Sequence, residues 1–276
     1  MGLKSFFKGW RWILDGNLWL GSCAAALTFY VGLARCNTFW TAPAVWVASY
    51  VIGVYNLHGI SSLRRKQLFD LNAARYYKSK LALMVVFASM AMACLLLLLA
   101  PSFLWLPGFA GIMISFLYGN RVKVKGLNLP ALREWPYVKE LWSVLALVFI
   151  IDVIPSVWME YTLTPEDGVL MALLAIHLWI NTTVGDMRDS ELDARKGLKT
   201  LPTLWGFDKA RWVLMVVSLG TGVLATFLRL YPMSILFAGN AIALYFVNKE
   251  SSKKIYHWVD VVHWLPLVVA CILRWH

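Results

Sequence analysis

The sequence predicts an all-α, polytopic membrane protein with nine transmembrane helices, set out as two four-helix halves plus a last helix. Three observations carry this. Hydrophobic residues make up 60% of the 276 and charged ones only 15%, and the mean hydropathy is +0.63, well outside the range of soluble domains. Apolar stretches of about 20 residues, the length that crosses a hydrocarbon core, recur along the whole chain. The bases gather in alternate connections between them.

The first stretch, 12–34, follows the basic leader MGLKSFFKGWRW. It runs past the length of a signal-peptide core and has no small-residue cleavage site, so it reads as a retained helix. Gly2 follows Met1, but the hydroxyl residue is Ser5 rather than residue 6, and the myristoylation pattern does not fit. The remaining spans are expected at 39–58, 81–100, 103–119, 138–157, 166–185, 211–229, 231–247 and 258–274, with 103–119 the shortest. Gly and Pro are scattered through the loops rather than gathered into a linker, which suggests one domain over 1–276.

Orientation follows from the bases, because Lys and Arg near span ends are retained in the cytoplasm. All of them except Arg35, Arg229 and Arg274 fall in the N-terminus or in 59–80, 120–139, 186–211 and 249–257. That pattern places the N-terminus and the large loops 59–80, 120–139 and 186–211 inside, and the C-terminus outside. The net charge of +11 then suits anionic lipid headgroups of the bilayer and calls for no nucleic acid. The 15 Trp and 11 Tyr cluster near span ends as interfacial anchors do. Cys23, Cys36, Cys94 and Cys271 lie in or beside spans without C-x-x-C pairing, which argues against a metal or redox cluster; they read as apolar packing residues.

The stretch GDMRDSELDARKGLKTLPTLWG at 185–206 stands apart. Asp186, Asp189 and Asp193 fall at i, i+3 and i+7 and share one face if the sixth span continues helically past Gly185. Three carboxylates on one face repel one another unless a cation sits among them, and hard oxygen ligands suit Mg²⁺, which shares its shell with phosphate oxygens. Arg188, Arg195, Lys196 and Lys199 interleave with the acids, so a solvated helix laced with ion pairs is the competing reading.

The same stretch resembles the second aspartate-rich motif of the UbiA superfamily of intramembrane prenyltransferases, roughly D-x-x-D-x-E-x-D-x-x-x-G-x-x-T-L-P-x-x-x-G. Asp186, Asp189, Glu191, Asp193, Gly197, Thr200, Leu201, Pro202 and Gly206 match it. YGNRVKVKGLNLPALREWPYVKELW at 118–142 is similar to that family's loop after the fourth helix, and YHWVDVVHWLPLVV at 256–269 to its last helix. The resemblance implies nine helices with acidic loops inside, a lipid-open cavity for a polyprenyl diphosphate, Mg²⁺ held between two acidic motifs, and transfer of the prenyl group to an acceptor. Opening an allylic C–O bond leaves a diphosphate anion and a carbocation. A metal neutralises the first, and an aromatic, water-poor cavity shelters the second.

The first motif departs from the family pattern N-x-x-x-D-x-x-x-D. In NLHGISSLRRKQ at 56–67, Asn56 matches, but Ile60 and Arg64 stand where acids are expected. Three readings follow. Arg64, Arg65 and Lys66 bind phosphate oxygens directly in place of one metal ion; or the donor or reaction differs, as in terpene cyclisation or phosphoribosyl-type transfer; or catalysis is lost and the chain is a prenyl-lipid-binding partner of an active enzyme. Topology-setting charge alone also accounts for these bases.

The expected function is a Mg²⁺-assisted prenyltransferase acting on a polyprenyl diphosphate and a small or lipidic acceptor at the cytoplasmic side, with a partner subunit left open. Asp186, Asp189 and Asp193 are the metal-binding and catalytic candidates. Asn56, Arg64, Tyr118, Lys123, Lys196 and Lys199 are the substrate-binding ones, and His58 is a weaker candidate for a base. Among acids near spans, where charge is costly, Asp15 lies close enough to the cytoplasmic end to reach water, Asp260 fits the last-helix pattern, and Asp152, in the outer half of its span, has no evident role. A transporter reading lacks the inverted repeat with broken helices that such proteins carry.

Overall fold

A computed structural model describes residues 17–64, 71–119, 122–124, 127–129, 138–195, 197–249 and 259–274. Asp15, Arg65, Lys66 and Lys196 lie outside them. The chain forms two compact units, one drawn from Met1–Thr28 and Trp40–Leu132, the other from Phe29–Phe39 and Arg133–His276.

The first unit holds the start of α1 (Leu18–Cys36), α2 (Thr41–Arg64), the short α3 (Leu71–Tyr77), α4 (Lys80–Leu98) and α5 (Trp105–Gly119). Helices are expected here because, in lipid, only structures that satisfy their own backbone groups can span. Helix α2 packs against α4 at a small residue: a Cβ on Gly53 would meet Met90 Sδ at 2.5 Å, the close approach that membrane helices use for lack of a hydrophobic drive between them. Further along α2, Gly59 lies flat against the Tyr77 ring, 2.1 Å from where its Cβ would stand. Phe87 and Leu106 expose most of their surface, as lipid-facing residues do.

After α5 a short pair of strands lies in the connection of the otherwise helical chain. Strands β1 (Val122–Val124) and β2 (Leu127–Leu129) pair antiparallel, with Val122 opposite Leu129 and Val124 opposite Leu127. The sequence VKVKGLNL alternates apolar and polar residues about a glycine, a hairpin pattern, within a loop that the span count left without structure.

The regular elements of the second unit are all helices among its described residues. Its transmembrane stretch at Lys139–Trp158 comprises α6 (Val138–Val148), a π-helical turn (Phe149–Val153) and α7 (Ile154–Trp158). Pro155, which has no N–H to give to Ile151, follows that widened turn. Then come α8 (Asp167–Arg195), the short α9 (Leu201–Trp205), α10 (Phe207–Phe227), α11 (Tyr231–Phe246), a 3₁₀ turn (Val262–Trp264) and α12 (Leu265–Arg274).

Each of the nine expected spans overlaps a helix among the described residues. Among the described residues, five helices are long and apolar enough to cross a membrane, while those over Ser102–Ser115 and Tyr231–Phe246 are apolar but shorter.

Asp152 acquires an account here. The π-helical turn carries it to Arg35, at the end of α1, whose Nη1 donates to Asp152 Oδ1 and Ser156 Oγ and whose Nη2 donates to Asp152 Oδ2 at 3.1 Å. Arg35 Nε donates to Asp167 Oδ1 at 2.9 Å, and Asp167, the first residue of α8, also reaches back to accept from the Thr164 N–H at 2.8 Å. Arg35 and Asp152 are buried, with side-chain exposures of 1% and 0%.

Candidate metal and diphosphate site

The candidate site stands at the end of α8. This helix has 29 residues and is therefore about 43 Å long at 1.5 Å per residue, against a hydrocarbon core of roughly 30 Å. Its last turns thus reach past the apolar stretch, and they carry the aspartates. The helix is continuous through Gly185, so Asp186, Asp189 and Asp193 share a side as their spacing requires.

What ends the helix fixes where Asp193 sits. Gly197 adopts φ +69°, with its N–H on Ala194 O and the Leu198 N–H on Asp193 O at 2.9 Å; this is a Schellman closure, which needs a left-handed residue at that point. The Thr200 N–H donates to Thr203 Oγ1 at 2.8 Å, Pro202 lies in the first turn of α9 where a missing N–H costs nothing, and the Leu201 N–H donates to Glu140 Oε1 at 2.8 Å. Gly206 takes φ 85° and ψ 156°, a region essentially restricted to glycine. The Gly, Thr, Pro and Gly of the motif are thus the parts of a turn that closes back on α6.

The three aspartates separate into two settings. Asp186 and Asp193 are buried and converge on one cation: Lys139 Nζ donates to Asp186 Oδ1 at 2.7 Å and to Asp193 Oδ2 at 2.9 Å. Asp189 is more exposed and pairs with the Arg188 guanidinium, at 2.9 and 3.0 Å. Among the described residues no group of three or more His, Cys, Asp or Glu is placed to hold a metal ion. Two carboxylates aimed at a single cation do form a donor set that Mg²⁺ accepts, since one or two carboxylates with phosphate oxygens completing the shell is its usual arrangement. Lys199 is exposed in the turn after the helix.

Lys139 was not among the candidates. Read along the chain, it is one more base at the end of a span, and its partners lie 47 and 54 residues away. The only sequence signal is that three acids on one face require a cation.

In the first unit, Asn56 is fully buried. Its Nδ2 donates to Ile52 O at 2.8 Å, and its Oδ1 accepts from the Tyr76 hydroxyl at 2.9 Å. Ile60, at the first position where the family carries an acid, is buried in an apolar cluster with Tyr76 and Ala82. Arg64 is exposed at the end of α2. Tyr118 lies beside His58, with ring centroids 6.0 Å apart. His58 Nε2 stands 2.7 Å from Ser115 O; a carbonyl only accepts, so that nitrogen carries the proton. Lys123 falls in β1, where only the backbone is described.

In the second unit, Asn181 Nδ2 donates to Asp260 Oδ1 at 3.4 Å, which ties the last helical segment to α8 and gives Asp260 a packing partner.

Apolar helices of spanning length, one of which ends in a buried carboxylate pair gathered on a lysine, define a membrane-embedded protein with an acidic cluster at one helix end. The UbiA prenyltransferase family model matches residues 71–265, which include all three aspartates and follow the Asn56–Arg64 stretch. The chain belongs to that family.

Solved structures agree on the fold. A UbiA homologue from Archaeoglobus fulgidus, bound to DMAPP and Mg²⁺, is 14% identical with a TM-score of 0.62, over 95% of this chain and 97% of that one. A UbiA homologue without ligand from Aeropyrum pernix K1 is 16% identical with a TM-score of 0.61, over 92% and 98%. A digeranylgeranylglyceryl phosphate synthase structure is 13% identical with a TM-score of 0.53, over 95% and 94%. No curated protein matches the chain.

Proposed function

We propose that this protein transfers a prenyl group from a polyprenyl diphosphate to a small or lipidic acceptor, with Mg²⁺ held by Asp186 and Asp193, at the cytoplasmic side of the membrane. The observation that carries the reading is the convergence of two buried carboxylates on one cation, inside the motif that the family model covers. The family's homologue with DMAPP and Mg²⁺ supports the same donor class and metal. Mg²⁺ at that pair supplies charge neutralisation for the departing diphosphate.

The chain's own residues do the rest. Asp186 and Asp193 provide the hard oxygen ligands, and the glycine-bearing turn after α8 holds Asp193 in register. Asp189, paired with Arg188 at the helix surface, adds a carboxylate when phosphate oxygens draw the guanidinium away. Lys196 and Lys199, beside the acids in sequence, balance phosphate charge. Arg64, Tyr118 and Lys123 are further proposed substrate contacts. Asn56 acts through its bond to Tyr76, by fixing the end of α2. The apolar helices exclude water, which would otherwise capture an allylic cation. The whole chain, 1–276, is proposed to act as one domain.

One observation favours a second reading. Ile60 is packed in an apolar cluster, so the first motif offers a hydrophobic contact where the family has a metal ligand, and this suits a prenyl-lipid-binding protein without turnover. Transfer assays with radiolabelled prenyl diphosphates of several lengths and a broad acceptor panel, with and without Mg²⁺, separate the two. Mg²⁺-dependent product that Asp193→Asn reduces by at least 100-fold supports transfer; saturable binding without product across the panel supports the second reading.

A further inference from the structure

The carboxylate pair already has a cation, and the chain itself provides it. Lys139 stands one residue into α6 with its side chain 21% exposed, while those of Asp186 and Asp193 are 11% and 7% exposed. An ammonium has three donor hydrogens, and two of them go to these carboxylates, one to each. The triad carries a formal charge of −1, so a divalent ion and the ammonium together would overfill it, and mutual repulsion at this spacing disfavours holding both. Lysine is suited to leaving: it is a compact charge on a flexible four-carbon stem, without the fork that fixes an arginine on a carboxylate.

We propose that Lys139 is the resident counterion of Asp186 and Asp193, a positioning residue that keeps the pair closed to a divalent ion until phosphate oxygens draw its ammonium away. The proposal rests on the prenyl-transfer reading for its ligand but makes a claim about the ligand-free protein that stands apart from turnover. Metal alone then binds weakly, because it must displace a hydrogen-bonded cation. Metal arriving with a diphosphate binds well, because the displaced ammonium gains phosphate oxygens as it gives up the carboxylates.

The test is a Mn²⁺ titration, followed by electron paramagnetic resonance, of the full-length protein in lipid nanodiscs without diphosphate. Lys139→Met is expected to bind Mn²⁺ at least tenfold more tightly than the native protein and to gain thermal stability on Mn²⁺ addition. Lys139→Arg, which keeps a cation at the pair, is expected to match the native protein, and Lys139→Met with Asp193→Asn to lose the gain. Lys139→Gln is a second uncharged variant read by the same criteria. Equal Mn²⁺ affinity in the native protein and both uncharged variants, within twofold, overturns the proposal. Prenyl transfer by the native protein is measured in parallel: turnover with unchanged metal affinity sinks only the role of Lys139, and tighter metal binding without any turnover supports that role while sinking the transfer reading.

Discussion

The Arg35 cluster allows a prediction whose ordering follows from counting charges. One guanidinium faces two buried carboxylates, Asp152 and Asp167, with side-chain exposures of 1%, 0% and 9% in that order. Replacing Arg35 by Met leaves Asp152 with Ser156 as its remaining contact in this cluster, and an orphaned buried charge of this kind costs about 3–5 kcal/mol. Replacing Asp152 by Asn leaves the Arg35–Asp167 pair intact and keeps an oxygen to accept from the guanidinium, so the loss is that of charge assistance in a hydrogen bond, about 1–3 kcal/mol.

The double variant removes the orphan along with its partner and is expected to be more stable than Arg35→Met alone, a coupling that a double-mutant cycle measures directly. Unfolding is followed in detergent by a thiol- or tryptophan-fluorescence thermal assay, where proteins of this size shift by roughly 2–4 °C per kcal/mol. Because the groups are buried, the differences are expected to persist at high salt. A double variant less stable than Arg35→Met, or an Asp152→Asn variant less stable than either, refutes the charge accounting.

Two further outcomes are expected. Ile60→Asp, which restores the acid of the family's first motif, puts a carboxylate into the Ile60–Tyr76–Ala82 cluster and is expected to cost several kcal/mol, so that it lowers both the unfolding temperature and any Mg²⁺-dependent transfer; a variant of native stability with higher transfer would show that α2 can turn this residue toward a metal. Glu140→Gln keeps an acceptor for the Leu201 N–H but loses the charge, and is expected to lower stability by about 1 kcal/mol, whereas Glu140→Ala leaves that N–H without its partner and is expected to cost about 1–3 kcal/mol, with a matching loosening of 197–201 in hydrogen exchange.

The helices were legible because their signal is local: a run of apolar residues near 20 long has few other fates. The side on which Asp186, Asp189 and Asp193 project was legible for the same reason, since helical spacing depends only on adjacent residues. Their partners were not. Lys139 pairs across more than 45 residues, and Arg35 reaches Asp152 across 117; nothing within a window around either base marks it as different from the bases that set topology. A weaker clue was available for the second pair, because Arg35 is one of three bases outside the basic segments and Asp152 an acid within a span that lacked a role. The hairpin at 122–129 was overlooked because the span count treats whatever lies between helices as connection, although its alternation about Gly126 is a strand pattern. The separation of Asp189 from its two neighbours arises from burial, which helical spacing does not encode.

Both buried acidic clusters of the second unit place two carboxylates around one cation, yet the cations differ in kind. Arg35 is sealed, and its planar guanidinium meets both oxygens of Asp152 and one of Asp167; five fixed donors leave no route by which an ion could take its place without breaking several bonds together. Lys139 lies at a helix start, is partly open to solvent and holds each carboxylate through one oxygen. On the role proposed for Lys139, the same ratio of charges would serve two purposes. Where the guanidinium sits, the cluster fastens α1 to the start of α8 and has no vacancy to offer. Where the ammonium sits, each carboxylate would give up a single bond to gain a metal ligand, so the proposed exchange would be far less costly at the end of α8 that carries the family motif than at the other.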